Sequence, residues 1–348
     1  MFMRKSSGGN QMKKKLLIMV LTVITAMGMC FSLSGCGGGD SEAAEGDGAK
    51  TLNVMQQYGL AYAPFQVMEE QGLIEKAYEE ATGNTVEVNY SVLNSGSTIN
   101  ESFASGDVQV GAMGVGPAVT GVMTGVGYKI CSNMSAQPHK LMTNADSGIN
   151  TLSDIQSSDQ IALVNIGSFQ HVLLAMACDA QLGDAHALDE NILSTSHPDG
   201  MVALENGQVA AQLTTSPYTF MEEEEGMVEV DALQSVWPDG NSFIVAVASE
   251  QLYNDDPELY AAVVQGISDA IDYINENPEE TAELLAAGED MDQDAETILS
   301  WLNDPACSYS TELKGVMTMA DFMAENGFLE VDGPSDISEL VFDGVKGN

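Results

Sequence analysis

Phe103 to Pro117 reads F-A-S-G-D-V-Q-V-G-A-M-G-V-G-P. A helix end closes on Gly106, a polar residue follows, and a valine-led strand runs to a proline that can open the next helix. Glycine just past a helix supplies the left-handed backbone that ends it, and proline in the first helical turn gives up no donor that the helix needs. The pattern returns from Leu204 to Tyr218 as L-E-N-G-Q-V-A-A-Q-L-T-T-S-P-Y, with Gly207 and Pro217 in the matching places. A repeated helix–strand–helix unit suggests two similar α/β lobes. Taken alone, the echo also has a reading as chance similarity between two short stretches.

Outward from this pair, strands and helices alternate. Apolar runs and turn residues predict strands at 51–56, 85–92, 108–113 and 128–133, with helices at 63–81 and 98–105 and a short one from Pro117. Further strands are expected at 160–165, 192–196, 209–214 and 242–248, around a helix at 168–182 and another between the second and third of these strands. From Pro257 the chain reads as helices at 257–277, 278–287, 292–301 and 311–326. Such alternation predicts an α/β fold of parallel or mixed sheets covered by helices.

The start of the chain carries an address. Lys13, Lys14 and Lys15 precede an uncharged, mostly apolar run at 16–33, then Leu33-Ser34-Gly35-Cys36 and three glycines. A basic n-region, an apolar h-region and a small-residue cleavage site make a secretory signal at 1–35. Cysteine directly after Leu-Ser-Gly resembles the lipobox of bacterial lipoproteins, which implies a diacylglycerol on the Cys36 thiol and cleavage just before it. A retained transmembrane anchor is the competing reading, since the run is almost long enough to span. Residues 36–50 mix Gly, Ser, Ala and acids with no apolar period, and read as a flexible tether.

Composition excludes some partners. Five of the eleven basic residues precede Cys36 and no acid does, so the chain from Cys36 has six lysines against 52 acids, a net charge near −46 without one arginine. Nucleic acid and anionic lipid surfaces both need basic patches, so neither is an expected partner. The bland role of so much acid is solubility. The roughly 300 residues after the tether are enough for one large or two moderate domains, and a hydrophobic content of 44% allows a packed core. Cys131, Cys178 and Cys307 are far apart and read as small buried residues; no metal-ligand spacing, catalytic set or cofactor motif is legible.

Four segments resemble one family. Tyr58 to Lys76 reads Y-G-L-A-Y-A-P-F-Q-V-M-E-E-Q-G-L-I-E-K; Ser95-Gly96-Ser97-Thr98 leads a helix into A-S-G-D-V-Q-V-G at 104–111. Thr151-Leu152-Ser153-Asp154-Ile155 precedes a strand and the Gly167-Ser168-Phe169-Gln170-His171 turn, and the segment from Ala203 to Ala211 precedes Ser216-Pro217-Tyr218. Together they resemble the extracytoplasmic solute-binding proteins of nitrate, sulfonate and taurine ABC importers, a group that includes binders of thiamine-precursor pyrimidines. The resemblance runs from 51 to about 290. It implies a two-lobed periplasmic-binding-protein fold of type II, lobe I at 51–137 plus 240–348, lobe II at 138–239, and a ligand cleft between them. A monomer anchored outside the membrane and docking on permease subunits would follow. An enzyme on the same fold would need a histidine and cysteine cluster that is not legible here. A ligand-presenting sensor is not separable from an importer subunit in the sequence.

Helix N-termini offer unpaired N–H groups and partial positive charge, so the strand-to-helix turns are the expected site. Ser95, Ser97 and Thr98 form one turn, Gly114 and Gly116 a second, Gly167, Ser168, Phe169 and Gln170 a third, and Thr215 and Tyr218 a fourth. Tyr58, Tyr62 and Phe169 would wall a ligand with rings. Competing structural roles are a helix cap for Ser97 and a core position for Phe169. Gln170 and His171 are adjacent on a helix, so one of them at most faces the ligand. His197 reads as a satisfied histidine, and 222–225 as a solvated acidic helix face. Without arginine the bidentate anion clamp is missing, leaving helix N-termini, hydroxyls and Lys140 for an anion. The sequence leans toward a neutral or heteroaromatic solute; a small anion such as a sulfonate or nitrate is the alternative. In the family a Glu often stands where Ser216 stands here.

Overall fold

The structure, a computed structural model, describes residues 50–288 and 293–347. The signal segment, Cys36 and the tether up to residue 49 lie outside the described residues. Lys50, expected at the end of the tether, instead begins the first strand and reaches Tyr78 Oη and the Asp256 carboxylate.

The chain runs β1 (Lys50–Gln56), α1 (Ala63–Gln71), α2 (Leu73–Thr82), β2 (Val86–Val92), α3 (Gly96–Ser105), β3 (Val110–Gly114), α4 (Val115–Met123) and β4 (Tyr128–Ala136). It then crosses to a second sheet through β5 (His139–Thr143), β6 (Ile161–Leu163), α5 (Phe169–Leu182), β7 (Ile192–Ser194), α6 (His197–Glu205), β8 (Ala211–Thr215), α7 (Tyr218–Glu224) and β9 (Val228–Val230). It returns through β10 (Ile244–Ser249), α8 (Glu250–Asp255), α9 (Pro257–Glu276), α10 (Pro278–Ala287), α11 (Ala295–Leu302), β11 (Ser308–Tyr309) and α12 (Val316–Glu325).

The first sheet has the order β11-β4-β10-β3-β1-β2 and the second β7-β6-β8-β5-β9. In the first, β1 pairs parallel with β2 and β3, while β10 is antiparallel to β3 and β4. In the second, β6 pairs parallel with β7 and β8, while β5 is antiparallel to β8 and β9. The repeated segments therefore yield β3 and β8, each between one parallel and one antiparallel neighbour. In each sheet that antiparallel neighbour, β10 or β5, is the strand by which the chain enters from the other sheet. Gln137 sits in the short crossover between β4 and β5. Its Oε1 accepts from Ser216 Oγ at 2.6 Å and from the Cys307 thiol at 3.0 Å. Cys131, Cys178 and Cys307 are buried and free.

Local chemistry sets the helix bounds. The stretch 63–81, expected as one helix, is two, because Gly72 adopts φ 60° between α1 and α2. Leu259, Val263, Ile267, Ile271 and Ile274 bury one stripe of α9, the three-to-four spacing of an amphipathic helix, and α9 packs on α1 and α2. The sequence reading missed β5, β9, β11 and α8, all short.

The acidic run 222–225 departs from its expected role. Glu223, Glu224 and Glu225 are exposed, but Glu222 is 0% exposed and neither of its carboxylate oxygens has a partner among the described residues. It lies three residues after Thr219, also 0% exposed, so both share the inward face of α7. Among the described residues no helix is long and apolar enough to cross a membrane.

Candidate functional site

A cavity of about 690 Å³ lies between the ends of the two sheets. Its first-sheet wall comes from the segment after β1, the turn before α3, Gly114, Pro117 and Phe243. Its second-sheet wall comes from three segments: residues 164–165 with 168–170, residues 194–198, and the β8–α7 turn. Five helices, α3 to α7, thus begin at the cavity.

Serines start three of them. Ser95 Oγ accepts from Thr98 N at 3.3 Å, Ser168 Oγ from His171 N at 3.2 Å, and Ser196 Oγ from Asp199 N at 3.3 Å. Each satisfies one of the donors that a helix start leaves unpaired.

The walls are ringed. Tyr58 is 59% exposed at the rim, whereas Tyr62 is buried. Phe169 is both core and wall. Its ring packs against His139, Phe243 and Trp237 at centroid distances of 4.8, 4.9 and 5.7 Å. Gly114 makes room for it: a Cβ there would stand 2.8 Å from Phe169 Cβ. Elsewhere on the wall His197 stacks on Tyr218 at 5.4 Å and 28°.

Among the described residues, no Asp, Glu, Lys or Arg lines the cavity. Its one histidine, His197, is pushed down to about 4 by burial, so its ring is neutral at pH 7. Gln170 is 4% exposed, and its carboxamide has no partner among the described residues. Lys140, a candidate anion partner in the sequence, sits on β5 outside the cavity wall and pairs with Glu223 and Glu229.

Of the residues expected at the site, Tyr58, Tyr62, Ser95, Gly114, Ser168, Phe169, Gln170, Thr215 and Tyr218 line the cavity; Ser97, Thr98, Gly116 and Gly167 do not. Ser95, not Ser97, is the cap. Ser97 Oγ instead accepts from Asn165 Nδ2 at 3.3 Å, joining α3 to the segment after β6. Thr98 Oγ1 pairs with Ser95 Oγ at 3.0 Å. Gly116 packs toward Val172 and Phe169 of α5. Gly167 stands behind the wall and donates its N–H to His171 Nδ1 at 3.0 Å.

Sequence reasoning missed Asn94, Asn165, Phe243 and the segment from Ser194 to Pro198. The last carried a signal, because Ser196 before His197-Pro198 is a serine cap with proline in the first turn. Phe243 carried none, since its place depends on β10 crossing back beside β3.

Residues 58–287 match the model of the NMT1-like family, well over half of the chain. No curated protein matches the chain's sequence significantly. Solved structures are similar in fold. The periplasmic aliphatic sulphonate-binding protein SsuA of Escherichia coli is 19% identical, with a TM-score of 0.65 over 86% of this chain and 94% of that one. The periplasmic nitrate-binding protein NrtA of Synechocystis PCC 6803 is 12% identical, with a TM-score of 0.65 over 84% of each chain. The Candida albicans CA3427 gene product, described as having the generic periplasmic-binding-protein fold, is 15% identical, with a TM-score of 0.63 over 84% and 96%. The chain belongs to the NMT1-like family and carries the two-lobed periplasmic-binding-protein fold.

Proposed function

We propose that this protein is the extracytoplasmic binding subunit of an ABC importer. It captures a neutral, weakly polar or heteroaromatic solute in the cavity between its sheets and delivers it to permease subunits. The observation that carries the choice of solute is the wall without charge: an ordinary carboxylate, sulfonate or ammonium entering it would find no counter-ion. Gln170 offers a donor and an acceptor, and Tyr58 and the His197–Tyr218 pair offer ring faces. The volume suits a small organic molecule. The two sheets suggest lobe I at 51–137 plus 240–348 and lobe II at 138–239, closing by a hinge at the two crossovers. The L-S-G-C start supports a lipid on Cys36 and a place on the outer face of the cell membrane.

A small anion is the second reading. Five helix N-termini at one cavity favour it, as do the sulfonate and nitrate binders of like fold.

Thermal denaturation of the chain from Gly37 onward decides between them. Neutral heteroaromatic amides and bases, short alkanesulfonates and nitrate would be compared at equal concentration, beside mass spectrometry of whatever co-purifies. A true ligand at a hundred times its Kd adds about 2.7 kcal/mol. Stabilisation by the anions alone would overturn the neutral reading.

A further inference from the structure

Behind the cavity wall, one carboxylate sits between two histidines. Asp189 Oδ1 lies 3.3 Å from His171 Nε2, and Oδ2 lies 2.7 Å from His186 Nδ1. The other nitrogen of each ring fixes its proton state by geometry. His171 Nδ1 accepts the Gly167 N–H at 3.0 Å, so it is unprotonated and Nε2–H donates to Asp189: His171 is the neutral ring. His186 Nε2 lies 2.9 Å from the Asn326 carbonyl, which can only accept. With a carboxylate at Nδ1 and a carbonyl at Nε2, both nitrogens of His186 must donate, and that arrangement fits the imidazolium.

The chain of contacts joins separate parts of the fold. Asn326 and Phe328 follow α12, which packs on α4 and α5. Phe328 stacks on His186 at 5.3 Å and 19°, and meets His171 edge-on at 5.1 Å and 66°. At the other end, Gly167 is the residue before Ser168, and Ser168, Phe169 and Gln170 form the cavity wall.

We propose that Asp189 is a positioning residue for the cavity. Cationic His186 anchors it from the α12 side, and it orients His171 so that Nδ1 holds the Gly167 amide and with it the wall at 168–170. The inference rests on that wall being the ligand wall, and it concerns how the wall is held rather than what it binds.

Other titratable groups facing the histidines are few. Asp184 accepts the His186 backbone N–H at 3.0 Å and adds negative charge beside it. The Cys178 thiol of α5 lies near the same two aspartates, and burial pushes it up to about 12, so it stays neutral. From the α12 end, His186 meets a carbonyl and a ring. The Asn326 carbonyl and Asp189 raise His186, while burial lowers His171 against the pull of Asp189. A raised histidine stabilises the folded state in acid and loses that contribution as pH climbs through its folded pKa. A lowered one holds its contribution above its unfolded pKa and loses it as pH falls through the folded value. The whole chain of contacts therefore stands around neutral pH and fails on either side.

The test needs no ligand. Ile166–Gly167 is the one Ile–Gly step in the sequence, so 13C′-Ile, 15N-Gly labelling isolates the Gly167 amide in an HNCO spectrum of the chain from Gly37 onward. The expected result is a Gly167 shift that titrates with the His186 imidazole resonances at a shared midpoint above 6.5. In Asp189→Asn that component disappears, while the separate response to His171 protonation in acid persists. A Gly167 amide that stays flat while His186 titrates would overturn the proposal, as would one that follows His186 unchanged in Asp189→Asn. Either failure leaves solute binding untouched, whereas an absence of any ligand leaves this coupling measurable.

Discussion

Glu222 sits on α7 with both carboxylate oxygens buried and unpaired, and burial, aided by Glu205, pushes it up to about 8. The folded chain keeps this proton while the unfolded chain releases it from about 4.5 upward, so stability falls as pH rises toward 8. The cost at pH 7 is on the order of 3 kcal/mol, at 1.36 kcal/mol per unit. Glu222→Gln is expected to melt higher than the parent at pH 8 and close to it at pH 4. Parallel melting curves across that range would count against a buried neutral acid. Gly114 is the other decisive residue. Gly114→Ala places a Cβ 2.8 Å from Phe169 Cβ, and crowding of this kind costs about 1–3 kcal/mol. The variant should melt lower and bind more weakly, because the displaced ring is a wall of the cavity. Unchanged affinity would show that Phe169 has no contact with the ligand. Gly114 was expected at the site, but neither its close approach to Phe169 nor the burial of Glu222 was readable from neighbours in sequence. An acid in a run of four looks solvated, and a glycine in a strand looks like any small residue until the facing ring is known.

At the scale of elements, the serine start of α5 was legible at Ser168, whereas the cap of α3 was expected at Ser97 rather than Ser95, and Ser196, which caps α6, was expected at the end of a strand. Ser168 links element and site, since it caps α5 and lines the cavity. Ser168→Ala should cost about 1 kcal/mol of stability through the lost cap, seen as a lower denaturant midpoint with an unchanged m-value. Ser168→Asp keeps a capping oxygen and should recover stability; its added charge in an otherwise uncharged wall should still weaken binding of a neutral solute. Recovery of both together would place Ser168 outside the ligand contact. The strands missed in the sequence, β5, β9 and β11, are five, three and two residues long. Segments so short carry too little period to be told from loops.

The whole molecule is governed by its charge. Six lysines against 52 acids from Cys36 onward leave like charges crowded over the surface, and self-repulsion opposes the compact state until salt screens it. Raising sodium chloride from about 0.02 to 0.5 M shortens the Debye length from roughly 20 to 4 Å and should raise the melting temperature by several degrees. A melting temperature that is flat or falls with salt would mean that local ion pairs, such as Lys140 with Glu223, outweigh the global repulsion. Sequence by itself determined the α/β class, the paired units around β3 and β8, the serine start of α5 and the lack of arginine, because these depend on residue type and near neighbours. Tertiary structure alone decided that Ser97 bridges to Asn165 instead of facing ligand, that Glu222 points inward, and that Phe243 joins the wall. Each of these depends on which surface packs opposite, and that is set by two chain crossings between sheets rather than by anything within a turn of the residue.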